Sequence, residues 1–471
     1  MSTALLQQPP LRKLDAWRHQ LEAFHFAAER PAAMLAMDMG TGKTKVAIDL
    51  LANAGCRTIL ILCPKSVLGV WRREIERHWP GGCKSIVLDG GSTKSKAVEL
   101  SCHFGATPHI VVINYDSAWR IPLGSVLLKR QWDAVVCDES HRIKAPGGRA
   151  SRFCQQLGRI APRRLCLTGT PMPHSPLDVY GQYRFLAPDI FGTSFTRFRA
   201  RYAITHPQYF SQVRRWINQA ELEEKFHSIA YVCQADDVLD LPETIDEEIP
   251  VTLSAKSLKV YGDLKNELVA EVDSGIVTVA NALAKLLRLQ QITSGFVGFT
   301  DDLTGEKVCQ KLGDEKADAL LDLLEDIDKP VVVFCRFRHD LDAVREVAQK
   351  LERRYGELSG RQRDLTDHAE MPEGIDIYGV QIQSGGVGID LTRAHYAVYF
   401  SLSYNLGDYL QSRARLHRPG QTECVRFYHL VAERTVDQLI YKALEARQEV
   451  VESVLHRLKG YKQNGHSDGQ S

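Results

Sequence analysis

The sequence predicts an α/β protein with two doubly wound, parallel-sheet lobes and a helical insertion between them. Three observations carry that expectation. Six short apolar runs fill the first third: AMLAM (33–37), TILILC (58–63), SIVLD (85–89), HIVVIN (109–114), AVVCD (134–138) and LCLT (165–168). They are nearly continuously apolar, as strands covered on both faces of a parallel sheet must be. They recur about every 22–31 residues, which leaves room for a crossover helix each time. The pattern then returns in VVVFC (331–335), IDIYGVQI (375–382), YAVYF (396–400) and VRFYHL (425–430).

The first lobe is expected over residues 1–180. Residues 181–310 read as a helical insertion and linker: Arg- and aromatic-rich at first, acidic around Asp236–Glu248, then helical from Leu253. The run VANALAKLLRLQQI (279–292) has a broad apolar face at helical spacing. The second lobe follows over 311–435. Its first crossover is the helix marked by Leu341, Val344, Val347 and Leu351 between Arg338 and Arg353. Thr435-Val-Asp-Gln438 has the pattern of a capping box, opening a helix over 436–458, and 459–471 is a polar, Gly-rich tail. No repeat at solenoid period is present.

Composition narrows the class. The 471 residues are 44% hydrophobic and 25% charged, which excludes disordered, collagenous and rod-like chains. Lys plus Arg (59) against Asp plus Glu (58) leaves +1, so any basic surface must be local. The eleven cysteines are scattered, with no C-x-x-C pair, and read as reduced thiols. Neither an apolar signal segment nor a membrane span is evident, so no membrane partner is expected. The expected location is the cytoplasm, bacterial or viral in a host cell, or the nucleus of a eukaryote.

Two segments carry chemistry on their own. Met37-Asp38-Met39-Gly40-Thr41-Gly42-Lys43-Thr44 leaves a strand and opens a helix. Glycines let backbone N–H groups curl around a phosphate, the helix N-terminus adds positive potential, and Lys43 reaches the terminal phosphates. Thr44 would offer its hydroxyl to Mg²⁺. Met37 stands where such loops usually begin with Gly. Asp138-Glu139-Ser140-His141 ends the run AVVC, at the end of a strand where α/β sheets bind ligands. Asp138 can hold Mg²⁺ and Glu139 can orient or deprotonate an attacking water. Gln411, Arg415 and Arg418 would share one helix face by i, i+4, i+3 spacing and could meet phosphate. Alone, they could equally be a solvated basic face.

Taken in order, the motifs resemble a superfamily-two helicase-type ATPase of the Swi/Snf branch. DMGTGKT, LILCPKSVLGVWRREIERHWP (60–80), DESHRIK (138–144), LTGTP (167–171), LLRLQQITSG (286–295), LSGRQRD (358–364), SGGVGIDLT (384–392) and QSRARLHRPGQ (411–421) follow the family's sequence, from His19-Gln20 to Thr435-Val-Asp. The resemblance implies two RecA-like lobes with ATP and Mg²⁺ in the cleft and duplex DNA across both. By match, Gln20 would contact adenine, Arg415 and Arg418 would be arginine fingers, and Gln411 would sit beside the γ-phosphate. The chain departs from the family at His174 and Asp390, where Asn is usual, and at Val232-Cys-Gln-Ala235, where a basic stretch usually precedes the LP dipeptide. Ser140 is shared with outlying members that anneal strands or remodel forks.

Basic stretches mark where nucleic acid would lie. Residues 142–164 hold seven Lys/Arg and no acid; residues 190–220 hold five Arg and no acid, interleaved with aromatics. The candidate contacts are Lys65, Arg142, Lys144, Arg197, Arg199, Arg201, Gly385 and Gly386. The aromatics could equally be core at helical spacing, with the arginines solvated. The expected function is a DNA-dependent ATPase that translocates on double-stranded DNA. Alternatives are a helicase that separates or anneals strands on forked DNA or RNA, and an ATP-gated DNA clamp or recruitment factor. Protein partners are not legible.

Overall fold

The computed structural model describes residues 12–101, 108–173, 175–205, 213–273, 279–300, 307–366, 369–383 and 389–456. The chain divides into two compact units, Met1–Asp240 with Glu449–Ser471, and Leu241–Gln448.

In the first unit the six apolar runs become β1 (Ala32–Met37), β2 (Thr58–Cys63), β3 (Lys84–Leu88), β4 (His109–Asn114), β5 (Ala134–Asp138) and β6 (Arg163–Thr168). After a short antiparallel hairpin of β7 (Ala203–Thr205) and β8 (Val213–Trp216), the chain returns as β9 (Ala230–Cys233). The sheet order is β3-β4-β2-β5-β6-β1-β9, every pair parallel. Both faces are covered: Met34, Leu35, Leu62, Val111, Val112, Val135, Val136 and Leu165 have no exposed surface, which explains why the runs lack alternation. The register sets Ala36 beside Thr168 and Cys137 beside Cys166. Three neighbouring strands, β5, β6 and β1, thus deliver Asp138, Thr168 and Met37 to one end of the sheet.

The second unit orders β10 (Thr244–Val251), β17 (Val425–Ala432), β16 (Tyr396–Tyr399), β13 (Val331–Cys335), β15 (Ile377–Gln381) and β14 (Tyr355–Leu358) side by side, again all parallel. The helix Arg338–Lys350 is the expected first crossover and buries Leu341, Val344 and Val347 against Val331, Val333 and Ile377. A separate hairpin joins β11 (Phe296–Thr300) and β12 (Lys307–Lys311).

Residues 181–310 are helical in large part, with helices Phe195–Tyr202, Gln219–His227, Ala255–Asp273 and Val279–Thr293. They also contain β9 and β10, which add an edge strand to each main sheet. The physical reason these strands escape a search for apolar runs is their position. An edge strand buries less than a central one, and Asp246, Glu247 and Glu248 in β10 are exposed.

The last helix spans Val436–His456. Its cap differs from the expected box: Thr435 Oγ1 accepts from Asp437 N, but Gln438 reaches past Thr435 to accept from Arg434 N at 3.0 Å. The expected tail, 459–471, lies outside the described residues. Ten cysteines are free and none is in a disulfide among the described residues. No helix among them is long and apolar enough to cross a membrane.

Candidate nucleotide site and nucleic-acid contacts

The phosphate loop runs from the end of β1 into helix Lys43–Asn53. Gly40 and Gly42 have φ of 83° and 86°, a conformation that glycine alone adopts without strain. Met37 fills the position of the usual first Gly because here it is still strand: it is fully buried and pairs with Cys233. The loop is braced on three sides. Thr41 Oγ1 donates to Asp38 O at 2.7 Å. His19 Nε2 lies 2.8 Å from Thr41 O, and Gln20 Nε2 donates to the same carbonyl at 3.1 Å. Gly169 of the TGTP turn lies close enough that a Cβ would touch Met37 O and Met39 N at 3.5 Å.

Gln20 serves its own helix as well, accepting from Trp17 N at 3.0 Å. Its amide is therefore fixed against the loop; a nearby open groove, lined by Trp17, Arg18, His19, Glu22 and the acidic Asp237 and Asp240 among others, does not include it. Asp38 is a site residue that motif reading passed over. Its Oδ2 accepts from Ala235 N at 3.0 Å, and its own N donates to Cys233 O. Burial pushes its carboxyl up to about 6, against the pull of the Ala235 N–H and the Lys43 ammonium. The departure at Val232–Ala235 thus has a concrete form: β9 is held to the phosphate loop by backbone bonds, and Ala235, two residues beyond its end, by Asp38.

The acidic box ends β5. Asp138 Oδ2 accepts from Trp71 Nε1 at 2.8 Å, and Oδ1 accepts from Glu139 N at 3.0 Å. Burial raises Asp138 to about 6; Glu139 adds to the rise, and Lys43 and Trp71 oppose it. The charge of Lys43 therefore acts on both Asp38 and Asp138, so the two motifs meet. Trp71 gives a reason for the final Trp of LCPKSVLGVW: it is fully buried and holds the box.

Glu139 has φ of 47°, rare for a residue with a Cβ. Its side chain is 1% exposed, and neither carboxylate oxygen accepts a hydrogen bond among the described residues. The nearest cation-capable group is His141 Nδ1, 3.5 Å from Oε2 and also 3.5 Å from Thr168 Oγ1. A buried, unbonded carboxylate at the end of a strand is costly unless something polar joins it. A water and a metal-bound phosphate would satisfy that need, so the residues present fit Mg²⁺ with nucleotide. Among the described residues no cluster of three or more His, Cys, Asp or Glu could hold a metal on its own.

In the second unit the three-residue helix face is not formed. Helix Leu406–Arg413 carries Gln411, half-buried, but ends before Arg415 and Arg418, which sit in the turns that follow. A helix end interrupts the i, i+4, i+3 geometry. Arg415 is 5% exposed, and its carbonyl accepts from Leu391 N. Arg418 Nη1 donates to Ile389 O at 3.2 Å and lies 3.8 Å from Asp390 Oδ2. Asp390, the departure from Asn, also accepts from Thr392 N and Oγ1 at 2.9 and 2.6 Å. The acid therefore gives Arg418 a counter-charge that Asn could not.

The nucleic-acid candidates do not form one surface type. Lys65, Arg142 and Arg197 are exposed, while Lys144 and Arg199 are half-buried. Arg201 is already paired with Glu221, Nη2 to Oε2 at 2.6 Å. Gly385, Gly386 and His174 lie outside the described residues, as do Tyr209 and Phe210. The aromatics Phe191, Phe198 and Tyr202 are buried and pack on each other and on Tyr180, so they are core. Within 142–164, Arg163 and Arg164 begin β6 and donate to the carbonyls of Ala27, Arg30 and Gly158. They sit at the end of the sheet away from Asp138, so the basic run is divided between two places.

Known proteins share this arrangement of sequence. The mouse chromodomain-helicase-DNA-binding protein 1-like is 25% identical over 96% of this chain and 51% of its own length. The human DNA annealing helicase and endonuclease ZRANB3 is 26% identical over 93% of this chain and 40% of its own. The chain spans about half the length of the curated relatives it matches. Among solved structures, the Sulfolobus solfataricus SWI2/SNF2 ATPase core in complex with dsDNA covers 95% of this chain and 94% of its own, with 21% identity and a TM-score of 0.45. Residues 315–420 match the helicase conserved C-terminal domain. Residues 19–295, more than half of the chain, match the SNF2-related domain, and the chain belongs to that family.

Proposed function

We propose that this chain hydrolyses ATP and uses the hydrolysis to move along double-stranded DNA without separating its strands. The observation that carries the hydrolytic part is Glu139: strained, buried and unbonded beside Asp138, with Lys43 acting on the same spot. Backbone N–H groups from Met39 to Gly42 would wrap the phosphates and Lys43 would neutralise them. Thr44 and Asp138 would hold Mg²⁺, which when bound withdraws charge from the phosphates. Glu139 would orient the attacking water and accept its proton. Gln20 would contact the adenine. Arg415 and Arg418 would bring positive charge to the transition state, Arg418 leaving Asp390 to do so, and Gln411 would sit beside the γ-phosphate; an arginine finger is worth about 10³–10⁵ in rate.

The DNA part is supported by the relatives, whose names include DNA binding and DNA annealing, and by the exposed Lys65, Arg142 and Arg197. Phosphate contacts fix position without reading sequence, so alternating grip on phosphates suffices for movement. Ser140 and the annealing relative favour a second reading, in which the same motor re-pairs strands at forks. Free, buried thiols suit a reducing compartment such as cytoplasm.

The test is ATP turnover with single strands, duplexes of rising length, forks and RNA, with displacement of a triplex-forming strand. Stimulation rising with duplex length and ATP-dependent triplex displacement are expected. Fork re-pairing without triplex displacement would favour the second reading. Turnover without displacement would indicate a clamp, and melting of a plain duplex or stimulation by RNA alone would overturn the translocase.

A further inference from the structure

Helix Val179–Leu186 follows the TGTP turn and buries Val179, Tyr180, Gly181, Gln182, Tyr183, Phe185 and Leu186. One of these is out of character. Gln182 has no exposed surface, yet carries an amide that needs partners. It finds them in the acidic box, in the TGTP turn and at Asp178. Its Oε1 accepts from Ser140 Oγ at 2.7 Å, and its Nε2 donates to Pro171 O at 2.7 Å and Asp178 O at 3.0 Å. Both N–H groups are used. A flipped amide would set its oxygen against two carbonyls, so the orientation is fixed.

Ser140 follows Glu139 directly and starts the short 3₁₀ turn Ser140–Ile143. The helix is pressed onto that turn: a Cβ on Gly181 would lie 2.2 Å from Ile143 O and 2.4 Å from Lys144 O. The acidic box, the TGTP turn and the helix beyond it therefore share one buried side chain.

We propose that Gln182 is a positioning residue for Glu139, a role that presupposes the ATP hydrolysis proposed above. It is fully buried, with its amide committed to Ser140, Pro171 and Asp178. By holding the Ser140 hydroxyl, it fixes the turn from which Glu139 projects at positive φ. By holding Pro171 O, it makes that turn follow the segment 171–186. Displacement of that segment, by DNA or otherwise, would then be felt as displacement of the catalytic carboxylate.

The experiment compares the full chain with Gln182→Met, which keeps volume and removes the amide, Ser140→Ala, and the double variant. ATP affinity, KM, kcat with and without duplex DNA, and melting temperature are measured for each. Gln182→Met is expected to keep ATP affinity and KM while kcat with duplex falls about ten- to a hundredfold, the scale of a small misplacement of a reacting group. Ser140→Ala should lose kcat in the same direction, and the double variant should lose no more than Gln182→Met alone, because the bond from Ser140 is already absent once the Gln182 amide is gone. A lower melting temperature with unchanged kcat per folded molecule would reduce Gln182 to packing and overturn the proposal. So would additive losses. If Gln182→Met fails to fold, Ser140→Ala at the parent kcat overturns it by itself. A parent chain with no DNA-stimulated turnover would instead sink the proposed function; a stimulated parent matched by Gln182→Met would sink only the role of Gln182.

Discussion

Glu139 bears two costs at once, a left-handed backbone of order 1–3 kcal/mol and a buried carboxylate without a hydrogen bond. Residues held so are commonly spent on chemistry. Glu139→Gln is therefore expected to bind ATP as the parent does and to lose turnover, because the carboxylate acts on water in the transition state. Lys43→Ala should weaken ATP binding itself. Equilibrium binding and single-turnover hydrolysis separate the two, and parental hydrolysis by Glu139→Gln would remove it from the reaction. Asp340 in the second unit offers a test of stability instead. It is fully buried, and burial raises its carboxyl from 3.8 to about 6, opposed by bonds from Ser401 Oγ and Phe337 N. Because the folded value is the higher, its contribution to stability is fully present below about pH 4 and is lost as pH rises through about 6. The shift corresponds to roughly 3 kcal/mol at 1.36 per unit. Asp340→Asn should flatten the pH dependence of melting between pH 4 and 7; an unchanged slope would contradict it.

At the scale of elements, the phosphate loop is held by the helix that precedes β1. A Cβ at Gly42 would lie 2.2 Å from Gln20 Nε2, which is bonded to Thr41 O, and would sit at φ of 86°. Gly42→Ala should therefore expel Gln20 from the loop and lower ATP affinity at least about tenfold, with a stability loss of about 1–3 kcal/mol; calorimetric titration and melting check both. The central strands were legible because full burial makes them continuously apolar, β2 (TILILC) and β13 (VVVFC) most plainly. β10 (TIDEEIPV) was not, since it is an exposed edge strand rich in acids; β9 (AYVC) and β14 (YGEL) are only four residues long, and β14 interrupts its apolar residues with Gly356 and Glu357. The phosphate loop and acidic box were legible because their chemistry is local in sequence. Gln182 was not: its partners Ser140 and Pro171 are distant in sequence, and only the tertiary fold brings them to one amide. The one available signal was a Gln amid the buried run VYGQYRFL. The face joining Gln411, Arg415 and Arg418 was misread because spacing alone does not reveal that the helix stops at Arg413.

For the whole molecule, a net charge of +1 means that the proposed grip on DNA would have to come from local charge. The logarithm of duplex affinity should fall linearly with the logarithm of salt concentration, with a slope of about −0.9 per phosphate neutralised, and binding should be indifferent to sequence. Arg197→Ala, removing an exposed cation, should reduce that slope by about one. Arg163→Ala should leave it unchanged, because that guanidinium is committed to the carbonyls of Ala27 and Arg30. Equal effects would show that the DNA track had been placed wrongly. The strand orders have a consequence for how the chain is made. β10 is the first strand of its sheet to leave the ribosome, and its sole neighbour there, β17, is the last. No order of synthesis lets that sheet close from its first strand onward. β10 must wait, unpaired, while nearly the whole second unit is translated, which is when a bare strand is most able to join another nascent chain. Asp246, Glu247 and Glu248 on β10, together with Pro250, make it a poor template for such pairing. The acids that hid this strand from view in the sequence thus guard the half-made protein.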